Sequence, residues 1–84
     1  MKNKELIASN IEEAKEELES ILSDLASDSE YTEGELQIAL EHAYHHLNYA
    51  WHIRNVSEER ASACSKEDFV KWSKYPAGEI NEYE

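Results

Sequence analysis

The chain reads as an all-α protein: a long antiparallel helical hairpin and a short C-terminal helix, two copies of which complete a dimeric four-helix bundle. Three observations predict this. Apolar residues recur at alternating spacings of 4 and 3 along two long stretches, the signature of an amphipathic helix. The 84 residues hold only 2 Gly and 1 Pro, too few for a strand-rich fold built on tight turns. The link between the two stretches is short, which forces the helices to lie antiparallel.

The first helix is predicted over residues 3–27. Ile7, Ile11, Ala14, Leu18, Ile21 and Leu25 form its seam, widened by Leu6 and Leu22. Asn3 is placed to cap its start, and Glu5 sits in the first turn, where the helix dipole favours an anion. Glu12, Glu13, Glu16, Glu17 and Glu19 cover much of the remaining surface. Their mutual repulsion at close helical spacing makes the helix depend on tertiary packing. It should end in Ala26-Ser-Asp-Ser-Glu30, whose side chains compete for backbone hydrogen bonds.

The second helix is predicted over residues 33–55. Thr32 followed by Glu35 is a capping box. Leu36, Leu40, Ala43, Leu47 and Ala50 form a seam matching that of the first helix, flanked by Tyr44 and Trp51. Leu18 and Leu47, in mid-seam, are expected to be fully buried. Beyond Asn55 a fresh turn opens at Ser57. Ser65 then caps a short helix over residues 66–74 that carries Phe69, Val70 and Trp72 and is ended by Pro76 with Gly78. Residues 1–76 are expected to form the single domain and residues 77–84 a frayed acidic tail.

The second helix carries a further stripe of Ile38, His42, His45, His46, Tyr49, Ile53 and Val56. A helix apolar on two stripes is sandwiched. The cover for Ile38, His42, His45, Tyr49 and Ile53 must come from Phe69 and Trp72 of the last helix, from a second subunit, or from both. The expectation is a homodimer; the alternative is a three-helix monomer.

The densest chemistry is His42-Ala-Tyr-His45-His46-Leu-Asn-Tyr49-Ala-Trp-His52. His42 and His46 stand four apart on one helical face, the spacing by which two imidazoles share a zinc or copper ion. Further ligands would come from carboxylates of the first helix such as Glu12, Glu13, Glu16 or Glu17, or from a second subunit. The Glu-x-x-His signature of di-iron bundles is missing, which argues against a ferritin-like centre. Histidines beside Tyr and Trp on a helical face also pack structurally, or form an interface that titrates near neutral pH. Cys64 reads as a small hydrophobe at a helix junction rather than as a nucleophile. A bundle of this size leaves little room for a pocket, so no enzyme and no bound cofactor are expected.

The net charge of −11 opposes binding to nucleic acid or to an anionic membrane. Residues 1–42 hold 12 acids and 3 bases, against 7 and 5 in residues 43–84. The first helix is thus an acidic rod, suited to a basic protein partner or simply to solvation. The single cysteine and a three-residue apolar stretch near Met1 point to a reducing cytoplasm. These features together predict a small, acidic, non-enzymatic interaction or regulatory protein acting through its acidic face and a His/aromatic interface. A metal-binding bundle using His42 and His46 is the alternative.

Overall fold

The computed structural model describes residues 1–73, in which four helices follow one another: α1 (Lys4–Ser27), α2 (Glu33–His52), α3 (Glu58–Ala63) and α4 (Lys66–Ser73). The described residues contain no strand. None of their helices is long and apolar enough to cross a membrane. The expected tail over 77–84 and the end of the last helix beyond Ser73 lie outside the described residues.

Local chemistry explains most element boundaries. α1 and α2 are joined by a turn in which the Glu30 amide donates to Asp28 Oδ1 at 2.9 Å and the Tyr31 amide to the Asp28 carbonyl at 3.2 Å. The capping box forms as expected. The Glu35 amide donates to Thr32 Oγ1 at 3.1 Å, and the Thr32 amide to Glu35 Oε2 at 3.3 Å. Ser57 Oγ accepts from the Arg60 amide at 3.2 Å and opens α3. Ser65 Oγ accepts from the Asp68 amide at 3.2 Å and opens α4. Cys64, at φ 41°, takes the left-handed conformation that ends α3.

Two expectations fail at the open end of the hairpin. Asn3 makes no capping hydrogen bond to α1. Its side-chain amide instead donates to the carbonyls of Ile53 at 2.7 Å and Val56 at 2.9 Å. The start of α1 is therefore stapled to the chain leaving α2. Beyond His52 the chain tightens into turns, the Arg54 amide donating to the Trp51 carbonyl and the Val56 amide to the Ile53 carbonyl, each at 3.4 Å, while Arg54 Nη1 also donates to the Trp51 carbonyl at 2.7 Å. α2 stops at His52 rather than running to Asn55.

The core also departs from the heptad picture. Leu18 is 44% exposed and Leu47 is 42% exposed, where full burial was expected. The buried residues between α1 and α2 are Asn10, Ala14 and Ile21 on one side and Ala43 and Ala50 on the other. Mostly small residues are buried at this contact, and the leucines of both seams lie exposed or half-buried to one side of it. The main core lies on the other side. There Tyr49, Ile53, Ala61 and Trp72 are buried together, with Leu6, Ile7, Val56 and Cys64 packed against them. α3 and α4 are tied by a bidentate pair in which Arg60 Nε and Nη2 donate to the Asp68 carboxylate at 3.1 and 2.8 Å.

Two stability predictions follow from this distribution. Ile53, fully enclosed, should cost about 2–5 kcal/mol when cut to Ala, as large-to-small core changes do. Asn3→Ala, which removes two hydrogen bonds joining the hairpin ends, should cost about 1–2 kcal/mol. Urea unfolding of both variants at low protein concentration checks the ranking. A smaller loss for Ile53→Ala than for Asn3→Ala would show that the Tyr49–Trp72 cluster is not the main core.

Candidate functional site

At about 100° per residue, the contact line through Ala14 and Ala43 divides the hairpin into two faces. One carries the histidines. The other carries the leucines of both seams.

On the histidine face, α1 supplies oxygen acceptors to α2. His46 Nε2 lies 3.1 Å from Glu13 Oε2, and its Nδ1 lies 2.9 Å from Asn10 Oδ1. Asn10 is buried and donates its own amide to the Leu6 carbonyl at 2.9 Å, which holds its oxygen toward the ring. His42 is more exposed, with Nδ1 4.0 Å from Glu17 Oε2. The carboxylates that a metal site would require thus face both histidines. They serve them one each, however, and among the described residues no group of three or more His, Cys, Asp or Glu is arranged to hold a metal ion.

His45 points toward α4. Its ring centroid lies 5.3 Å from Phe69, 6.2 Å from Tyr49 and 4.8 Å from His46. Tyr49 meets Trp72 edge to face at 5.4 Å and donates its hydroxyl to the Ala61 carbonyl at 3.1 Å. Burial, and then the contact with Cys64, push the Tyr49 phenol well above its ordinary value. The hydrogen bond from Arg60 holds the Asp68 carboxyl below the usual carboxylate range. Of the residues expected at an interface, Tyr49, Ile53 and Trp72 are brought together and buried, with His45 and Phe69 at their edge. Their cover comes from α3 and α4 of the same chain. Ile38 lies apart from this cluster and is 60% exposed.

The leucine face has no such cover. Ile11, Leu18, Leu22 and Leu25 of α1 and Leu47 and Trp51 of α2 are all exposed, Leu22 at 67% and Trp51 at 60%. Half-buried Ile7, Leu36 and Leu40 continue the same surface. At the open end it dips into an apolar groove of about 240 Å³ between Ile7, Ile11, Leu47 and Trp51. Arg54 forms one wall, its guanidinium stacked 3.6 Å over the Trp51 ring.

Charge divides the same way. The α1 acids Glu5, Glu12, Glu13, Glu16, Glu17, Glu19 and Asp24 all fall outside the arc that holds Ile11, Leu18, Leu22 and Leu25. Lys15 borders that arc instead. Reading the seams only as contacts between the two helices hid this surface. The signal lay in the small size of Ala14, Ala43 and Ala50, which cannot keep the backbones far enough apart to bury leucines between them.

Comparison with protein-family models, curated proteins and solved structures finds no match to this chain.

The histidine face yields two expectations. Burial, then the neighbouring His46 and His42, lower the His45 imidazole, while Glu13 pulls the other way. The folded ring therefore binds a proton less readily than the unfolded one. Its stabilising effect is complete above the unfolded value near 6.5, declines as pH falls through about 6.5 and levels off below the lowered folded value. Urea midpoints should drop between about pH 7 and 5, and His45→Gln should reduce the drop. An equal drop in wild type and variant would remove His45 as a cause. Zinc, with no shared set of ligands at His42 and His46, should leave the melting temperature unchanged. A rise that is lost in His46→Ala would establish the metal site.

Proposed function

We infer that the chain is a small, acidic, non-enzymatic interaction protein whose binding surface is the leucine face of the α1–α2 hairpin. The observation carrying this reading is that Ile11, Leu18, Leu22, Leu25, Leu47 and Trp51 are exposed together on one face clear of the α1 acids, whereas Ile38, Phe69 and Val70 are exposed elsewhere. Contiguous exposed apolar surface beyond a few hundred Å² marks interaction sites. Adding the exposed parts of these side chains gives on the order of 800 Å², one partner's share of a standard-size interface.

Self-association through this face completes the expected four-helix bundle. Two hairpins stacked face to face enclose Ile11, Leu18, Leu25, Leu40 and Leu47 in a common core. The expected bundle is kept, but its interface moves to the leucine face, because α3 and α4 already cover Tyr49 and Ile53 of the histidine face. With each chain at −11, the dimer turns two acidic rods outward, a surface suited to a basic protein partner at low salt.

Sedimentation at neutral pH tests the reading. Wild type should be dimeric at micromolar concentration. Leu18→Asp should weaken association roughly a hundredfold, the range of a hot-spot loss, with helical content kept because the side chain is exposed in the single chain. A wild type that stays monomeric at high concentration overturns self-association through this face.

A further inference from the structure

The leucine face is not uniform along its length, and the difference between its ends orients the second copy. Toward the turn, Leu22 and Leu25 stand proud of the surface. At the opposite end the surface is hollow, forming the groove between Ile7, Ile11, Leu47 and Trp51. The hole lies at the open end alone, walled by Met1 and Trp51, which are about as exposed as Leu22 and Leu25 at the other end.

The charges are polarised along the same axis. At the turn, Asp28, Glu30 and Glu33 are exposed. At the open end Arg54 walls the groove, and the Lys2 amide donates to the Arg54 carbonyl at 2.6 Å, which places Lys2 beside it. Glu58 and Glu59 belong to the same end and share a cleft with Lys2 beside Asn3, which leaves Arg54 as the cation walling the groove.

A two-fold axis can relate two stacked hairpins in two ways. If it runs along the helices, like ends meet. Knob then lies against knob, hollow against hollow, turn acids against turn acids and Arg54 against its copy. If it runs across them, the ends exchange. Leu22 and Leu25 of one chain then enter the groove of the other, and the turn acids approach Arg54. Only the second arrangement fills the cavity and pairs opposite charges, and both effects act in the same direction.

We propose that a second copy of this chain docks on the leucine face with its ends exchanged, α1 antiparallel to α1 of the partner and centred on Leu18. The heptad spacing of Ile11, Leu18 and Leu25 makes this register self-complementary. Leu18 then meets its own copy, and Ile11 meets Leu25 of the partner subunit.

The proposal rests on the reading of this face as an interface, and disulfide mapping separates the two. In a Cys64→Ser background, single cysteines are placed at Ile11, Leu18, Leu25 and Leu36, of which all but the half-buried Leu36 are exposed in the single chain. Under mild oxidation Leu18→Cys should form a disulfide dimer by itself. Mixed chains carrying Ile11→Cys and Leu25→Cys should link to each other, since Cα atoms must come within about 7 Å. Mixed Leu25→Cys and Leu36→Cys chains should not link. A dimer in which Leu25→Cys links to Leu36→Cys while Leu18→Cys does not self-link has like ends together and overturns the proposal. A chain that is monomeric by sedimentation and links nowhere overturns the underlying interface reading as well.

Discussion

The hairpin depends on the close approach of α1 and α2 along Ala14, Ala43 and Ala50. These alanines are buried at the contact with Asn10 and Ile21, and the leucines of both seams lie together on a single side of it. On one side Tyr49 and Ile53 are covered by Ala61 and Trp72, and this is where the buried apolar volume concentrates. On the other side the leucines and Trp51 remain at the surface. The asymmetry that suggests an interaction protein therefore follows from the size of three alanines.

The rest of the chain secures that arrangement at the open end. Asn3 ties α1 to the exit of α2 through the Ile53 and Val56 carbonyls. The Arg60–Asp68 pair joins α3 to α4, and the Arg60 guanidinium reaches over the Trp72 ring at 5.4 Å. These polar contacts sit at the rim of the Tyr49–Trp72 cluster and align the short helices. α3 and α4 are only 6 and 8 residues long, too short to persist without such tertiary support.

Acidity is distributed by the same logic. The carboxylates of α1 lie where solvent or a histidine receives them, and Glu13 and Glu17 meet His46 and His42. The same contacts link the two helices through His42 and His46. The apolar face stays clear of the α1 acids.

The all-α class, the hairpin and the caps at Thr32, Ser57 and Ser65 were legible in the sequence. Each rests on local chemistry: a spacing of 3 and 4, a side-chain oxygen three residues before an amide, a scarcity of Gly and Pro. The need to cover Tyr49 and Ile53 was legible too, because a second apolar stripe on one helix demands a second neighbour. The depth at which each residue sits was not. Periodicity reports the direction of a side chain around its own helix, whereas burial depends on the distance to the next helix. That distance was set by the alanines at the contact, so Leu18 and Leu47 kept their predicted direction and lost their predicted burial. In the same way the sequence marks Asn3 as able to cap, but only the return of α2 to the start of α1 decides that its amide reaches Ile53 and Val56 instead.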